Sequence, residues 1–522
     1  MTSQALTTVP RGRDRLAVVA VLVVAALATA ALTGYALRGH APLRHAEVAV
    51  ALPLVVGVVL LVVVARHSLA RVRLSRLLVA GLIALPALAI LGPSFALPHA
   101  RQLYAARLVM VLVGFAGLLW VILTQRRLRL EARTFAALYG AWLAWLLITL
   151  AWAPYPDAAP HYLFQFVSLG ILAAATASCG VSRRRLVWLL RALAVVYGLS
   201  LLIGLAEWRL HLHLPSASPD YRRHGKAAGY FFNSNDFGTY LAFCWPFVLL
   251  LPYLRRRVGV QVVTAVALLL TLFVVRYTTS RTSVLAIGLE TVVVALVVAR
   301  RSGRRLRIAA AVLVVVALAA VGVALAGGFG SALSATNLVS QVQSGTGSGG
   351  VRSALQLAGL RAAATRWFLG VGPGNAEPLV AAANPSFTVL NLHDWWLEVL
   401  VEGGLPALLI FLTIYALLLQ AMARVARHAR DPFTRYLGAA TGVALIGFPI
   451  AILGPSTAIL FPPMAVLLGL GVAVLIRARR DEADAGLALS AGSDRPAGGG
   501  DLLHSRSGGA PGRAVSESDG RP

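Results

Sequence analysis

The sequence predicts an all-α polytopic integral membrane protein, with about 12–14 transmembrane helices and one long extracytoplasmic loop between late spans. Three observations carry this expectation. The chain is 58% hydrophobic with a mean hydropathy of +0.77 and only 13% charged residues, where soluble domains carry about 25%. Its apolar residues fall into runs of the length that crosses a bilayer, roughly 20 residues each. Its basic residues sit in short clusters between those runs, which is how membrane topology is written into a sequence.

Runs of that length lie near 16–37, 48–65, 77–97, 108–124, 134–153, 162–178, 186–206, 237–254, 258–275, 282–299, 306–326, 404–422, 436–453 and 457–476. The first follows the basic stretch Arg11–Arg15 and is too long for a signal-peptide core, so it reads as a retained span. The third contains Pro86 and Pro93. Placing the N-terminus in the cytoplasm puts the Arg groups at 66–76, 126–133, 183–185, 255–257, 300–307, 424–435 and 477–480 on that side. With the N-terminal arginines they make up well over half of the chain's 47 Lys and Arg, as the positive-inside rule requires. Both termini are then cytoplasmic. The organisation is a cytoplasmic 1–15, a membrane domain 16–476, and a tail 477–522 rich in Gly, Ser, Asp and Pro that reads as disordered.

Two outer segments are long, 207–236 and 327–403. The second runs from the pliable "QSGTGSGG" through "ALQLAGLRAAATRWFLGVG", which can form a helix at the interface, to "HDWW" at 393–396. The net charge of +27 does not point to nucleic acid, because no basic stripe with interleaved aromatics is present. Cys179 and Cys244 lie at or within apolar runs and make neither a metal site nor a disulfide framework. No DxD or paired-His spacing marks a metal, and no segment reads as a nucleotide site.

Chemistry-bearing residues gather on the outer face. Arg281 precedes the tenth run, Arg352, Arg361 and Arg366 lie in the long loop, and Asn235 and Asp236 open the eighth run. His393, Asp394, Trp395 and Trp396 precede the twelfth. Guanidinium groups bind phosphates bidentately and stay charged, and a His takes a proton from a hydroxyl nucleophile. Arginines and one base at an outer face suit transfer of a group from a lipid phosphate or pyrophosphate to a hydroxyl, with the Trp pair stacking on sugar. Each residue also has a plainer reading. Arg281 is then a headgroup anchor, the Trp pair an interfacial belt, His393 a surface residue, and Asn235 and Asp236 a helix cap. "GVGPGN" reads as a turn. Arg191 and Glu290 fall inside apolar runs, where charged residues usually face the bundle and pair; Arg191 is near enough to an end to snorkel.

In the order "FFNSNDFGTYLAF", "TTSRTSVLAI", "VRSALQLAGLRAAATRWFLGVGPGN" and "HDWWLEVLVEGGLPAL", residues 229–425 resemble the bacterial O-antigen ligase and O-antigen (Wzy-type) polymerase family. The resemblance implies a multi-pass protein of the bacterial cytoplasmic membrane that transfers a polyprenyl-pyrophosphate-linked glycan to a glycan, lipid or protein hydroxyl at the outer face, without a cofactor. It implies that Arg281 and Arg352, with Arg361 nearby, hold pyrophosphate and that His393 activates the acceptor. Asp394 and Ala407 depart from the residues usual at those positions, and Asp394 is expected to raise the pKa of His393 by its charge. A repeat-unit polymerase uses the same parts. The rival from another class is a small-anion or solute transporter, with Arg191 and Glu290 lining its path, although no internal repeat supports it.

Overall fold

The computed structural model describes residues 68–92, 130–218, 225–301, 347–383, 391–455 and 461–493, with a few isolated positions between them. The chain divides into Met1–Asp481 and Glu482–Pro522, and the fold described here is that of the first unit. Among the described residues every regular element is helical. They are α1 (Ser68–Leu91), α2 (Leu130–Thr149), α3 (Ala159–Ser178), α4 (Arg183–Leu210), α5 (Ser234–Leu249), α6 (Val258–Thr278), α7 (Arg281–Arg301), α8 (Gly347–Ala364), α9 (Ala376–Ala383), α10 (Trp395–His428), α11 (Pro432–Ala451) and α12 (Pro462–Ser493).

Nine described helices are long and apolar enough to cross a membrane: α2 to α7 and α10 to α12. They coincide with nine of the expected runs, and the all-α polytopic expectation holds. The runs at 16–37, 48–65, 108–124 and 306–326, the start of the long loop and the end of the tail lie outside the described residues. Residues 77–91 of the third run lie in α1, whose described apolar part is Leu78–Leu91, and residues 93–97 of that run lie outside the described residues.

Three of the helices, α5, α10 and α11, start where the sequence offers a side-chain partner for the orphan amides of the first turn. Asn233 caps α5 by accepting from Asn235 N at 2.8 Å. Asp431 accepts from Thr434 N at 3.0 Å to open α11, and Asp394 accepts from Trp396 N at 3.0 Å to open α10. Within the apolar spans, hydroxyls return to the preceding turn, as Thr176 does to Leu172 O at 2.8 Å and Thr291 to Ile287 O at 2.7 Å. A buried hydroxyl is thereby satisfied without leaving its own helix. The helices pack as a bundle in which α11 touches α5, α7 and α10, while α2 lies against α10 and α1 against α3 and α4.

α10 spans 34 residues but is two helices, because Gly404 interrupts it at φ 73°, ψ −175°. The part from Leu405 to His428 is about 36 Å long at 1.5 Å per residue, enough for the membrane. The short leading part, with α8 and α9, buries Leu355, Ala363, Val371, Ala376, Val380, Leu392, Leu397 and Val401 in a core of its own. Backbone pairing holds the segment after α8 to the break: Val371 N donates to Val401 O at 2.9 Å, Gly372 N to Glu402 O at 2.9 Å, and Leu405 N to Phe368 O at 2.8 Å.

This docking admits no side chain at two positions. A Cβ on Gly404 would collide with the Leu369 backbone, and one on Gly370 would stand 2.6 Å from Glu402 O. Both glycines also have positive φ, which other residues adopt only at a cost. Gly404→Ala and Gly370→Ala should each destabilise the protein by about 2 kcal/mol or more. The expected signs are a lower unfolding temperature in detergent and faster proteolysis between residues 365 and 375. Gly259→Ala, where a methyl group meets open space, should change neither.

Candidate active site

One end of the bundle collects the residues of interest. Thr239 Oγ1 near the start of α5 donates to Ala451 O at the end of α11, at 2.9 Å. Trp396 Nε1 near the start of α10 donates to Pro449 O of α11 at 3.3 Å. Ala227 N donates to Tyr277 O at the end of α6, at 3.1 Å. At the end of α4, Glu207 accepts from the amides of Ala228 and Gly229, both at 2.9 Å. The starts of α5, α7 and α10 therefore share an end, and with them Asn235, Asp236, Arg281 and His393. Arg281 is half-buried as the first residue of α7. The opposite end carries the groups Arg183–Arg185, Arg255–Arg257, Arg424–Arg435 and Arg477–Arg480. There Arg183 reaches Asp431 at 3.4 Å and Arg477 Nε donates to Asp481 at 2.9 Å.

His393 occupies the residue between buried Leu392 and the cap Asp394, with φ 53°, a conformation uncommon for a side chain larger than glycine's. Its Nδ1 is buried and has no hydrogen-bond partner. Burial, and secondarily the Arg352 charge, lower its pKa to about 4. At neutral pH the imidazole is therefore uncharged and able to accept a proton. The half-buried Arg352 on α8 supplies a fixed positive charge close enough to act on it.

The other arginine of α8 is placed differently. Arg361 is exposed, and nine residues at about 100° each put it on the opposite side of the helix from Arg352. Arg352 is brought to His393 and Arg361 is turned away.

Two expectations about the His393 neighbours are corrected. Asp394 was expected to raise the pKa of His393. Its carboxylate is instead engaged by the amides of Trp396 and Leu397 at 3.0 and 3.3 Å, and the pKa of His393 is lowered. Burial also moves the pKa of Asp394 itself upward, against those two amide bonds. The Trp pair was expected to offer sugar a stacking face. Trp395 is 3% exposed, between Trp142, Phe166 and Phe411. Trp396 packs edge-on against Phe411, Tyr415 and Phe448. Trp395 is closed off by this packing, while Trp396 is half-buried.

Asn235 and Asp236 are half-buried in the first turn of α5, but the capping side chain is that of Asn233. Asp236 there faces the positive end of the helix dipole. The intramembrane charges lie elsewhere. Arg191 is exposed on α4, with its guanidinium 5.1 Å from the Trp188 ring. Glu290 is fully buried on α7, both carboxyl oxygens without a hydrogen-bond partner, tight against Gly447 of α11.

Sequence reasoning missed the scaffold of the site. Trp145 Nε1 donates to Gly403 O at 2.6 Å and Trp152 Nε1 to Gly370 O at 2.8 Å. The buried Asn375 accepts from Tyr155 N at 2.7 Å and donates to Pro373 O at 3.1 Å. Behind them Tyr162 meets the carboxyls of Glu377, Glu398 and Glu402, beside a small cavity also lined by Trp142 and Trp395. Burial raises the pKa of Glu377, opposed by its bond with Tyr162. The signals were present in three tryptophans within 142–152 and in an Asn closing a Gly-rich turn. Among the described residues no group of three His, Cys, Asp or Glu is placed to hold a metal ion.

The family model described as O-antigen ligase matches residues 265–412. Over that stretch the chain is similar to the O-antigen ligase family. That stretch contains Arg281, Arg352 and His393, three of the residues that the geometry places at one end. The chain is also 23% identical, over 380 residues, to the teichuronic acid biosynthesis protein TuaE of Bacillus subtilis (strain 168), covering 68% of this chain and 75% of that protein. The nine apolar helices and these two likenesses together support a polytopic membrane protein of cell-envelope polysaccharide synthesis, with glycan transfer at the membrane as its general chemistry.

The two causes of the low pKa of His393 can be separated. In Arg352→Gln one cause is removed, so the imidazole should titrate above pH 4, and Arg361→Gln should leave it in place. Histidine NMR of the labelled protein in detergent checks this; an equal shift in both variants would mean that Arg352 has no special proximity.

Proposed function

We propose that the protein transfers a glycan from a polyprenyl-pyrophosphate donor to an acceptor hydroxyl at the outer face of the bacterial cytoplasmic membrane, in the manner of an O-antigen ligase and without a metal. The observation that carries this reading is His393, a neutral imidazole whose buried Nδ1 has no hydrogen-bond partner, with the Arg352 charge beside it and Arg281 at the same end of the bundle.

The acceptor oxygen attacks the anomeric carbon and the bond from that carbon to the pyrophosphate oxygen breaks. The leaving electrons stay on the lipid pyrophosphate, and the hydroxyl proton passes to His393. Arg281 and Arg352 hold the charge that develops on the leaving group, the electrostatic role usual for arginine at phosphoryl oxygens. Arg352 ties the two halves together. Before the donor binds, its charge adds to burial in lowering the basicity of His393; an anionic pyrophosphate offsets that smaller contribution as the donor arrives. Arg361, exposed and on the far side of α8, is left without a part in this step.

The outer-face assignment is supported by the arginine groups at the opposite end, which belong in the cytoplasm by the positive-inside rule, and it places both termini there as well. The likeness to a protein of teichuronic acid biosynthesis favours a cell-envelope polysaccharide as the glycan. A repeat-unit polymerase uses the same machinery and differs in its acceptor.

Purified protein in detergent, with no membrane gradient, should transfer glycan in a donor-dependent way. His393→Ala should lower turnover by roughly 10²- to 10⁴-fold, and Arg281→Lys should not fully replace Arg281, because Lys lacks the planar fork. The acid limb of kcat/KM, which reports the free enzyme, should lie near pH 4, and that of kcat, which reports the donor complex, at higher pH. His393→Ala turnover within about twofold of the parent would end the base assignment. Single cysteines at 213 and 378 should react with an impermeant reagent from outside, and those at 257 and 430 only from inside.

A further inference from the structure

The turn that follows α8 is built to present its side chains away from the protein. Trp367 and Phe368 both adopt left-handed backbone, at φ 53° and 56°, an unfavourable state for two consecutive aromatic residues. The strain is held by backbone bonds on both sides: Trp367 N to Ala364 O at 3.0 Å, Phe368 N to Ala363 O at 3.0 Å, Leu369 N to Arg366 O at 2.9 Å and Leu405 N to Phe368 O at 2.8 Å. The result is a turn held in place by its backbone, with apolar groups left exposed. Trp367 is 87% exposed, more than any other large apolar side chain among the described residues, with Phe368 and Leu369 also exposed.

Three further features identify what covers this turn. Leu405, where the turn is bonded to α10, begins an exposed stripe with Leu409 and Leu412. At i, i+4 and i+7 these share one face of a membrane-crossing helix, so the turn continues a lipid-facing surface. Leu357 and Leu360 extend the apolar edge back along α8. Arg361 and Arg366 flank it, both exposed, with the charge and fork geometry that fit phosphate. Trp beside Arg, above an apolar stripe, is the composition of a membrane–water boundary.

We propose that the edge from Leu357 to Leu369 is a membrane-interface anchor. Trp367, Phe368 and Leu369 enter the boundary between headgroups and acyl chains of the leaflet at the His393 end, while Arg361 and Arg366 bind the phosphates of anionic lipids. On the functional reading above, the anchor fixes the depth of α8, and so of Arg352, relative to a donor held in the same leaflet. It also assigns a role to Arg361, which the transfer step does not use.

The test needs no donor, so its outcome is separate from that of the transfer assay. In the full chain with Cys179→Ala and Cys244→Ala, bimane is attached at Trp367→Cys in lipid nanodiscs, with Leu369→Cys as a second site should the first variant fail to assemble. Arg430→Cys, in the turn between α10 and α11, is the aqueous reference. The expected result is strong quenching by lipids spin-labelled near the headgroup and weak quenching by iodide at 367 and 369, with the reverse at 430. Quenching at 367 by headgroup-labelled phosphatidylglycerol should exceed that by phosphatidylcholine by about twofold or more, and Arg361→Gln with Arg366→Gln should abolish the preference. Iodide quenching at 367 and 369 equal to that at 430, without lipid quenching, overturns the anchor and leaves the turn as a docking surface for a soluble partner. Lipid quenching with no anionic preference overturns the phosphate role of the arginines.

Discussion

A helix cannot be broken inside a packed bundle unless the backbone groups it releases find other partners, because burial there keeps water from taking them. The break of α10 at Gly404 meets this constraint with the chain's own backbone and one indole. The carbonyls of Val401 and Glu402 go to the amides of Val371 and Gly372, that of Gly403 goes to Trp145, and the amide of Leu405 goes to Phe368 O. Everything that defines the site hangs on this exchange. It stops the membrane-crossing part of α10 at Leu405, tips the leading part into the small core with α8 and α9, and so sets where His393 and Arg352 stand.

The same exchange explains the glycines on both sides of it. Gly370 and Gly404 lie backbone to backbone, a separation at which any Cβ collides. The Gly-rich segment reads as a turn in the sequence, and its amides at Val371 and Gly372 are spent on α10. On the proposed reading, phosphate recognition then falls to side chains, and arginines stand at this end of the bundle beside a His whose buried Nδ1 has no hydrogen-bond partner.

Much of the fold could be read in the sequence because apolar length and basic punctuation are local signals. Nine runs reappear as helices, and the run expected to begin at 404 does begin a straight span there. The nine residues ahead of it were not legible as helix, since Asp394 looked like a charge for His393 when it is the N-cap. The Trp pair misled for a related reason: an aromatic residue near a span end reads as interfacial until its neighbours are known. Only the fold brings Trp142, Phe166 and Phe411 around Trp395. The ranking of Arg352 over Arg361 became visible once α8 was known to be one continuous helix, because only then does a spacing of nine residues mean opposite faces.

Glu290 and Gly447 show a different kind of dependence. The carboxyl group of Glu290 fills the place where a side chain at 447 would stand, so α7 and α11 meet as tooth and notch. The two positions then cannot vary independently. A chain of this fold that carries anything larger than glycine at 447 should carry a residue shorter than glutamate at 290, and the contact between α7 and α11 would then lose its buried carboxyl. The identity of a glycine in α11 is in this sense inherited from a glutamate 157 positions earlier in the chain.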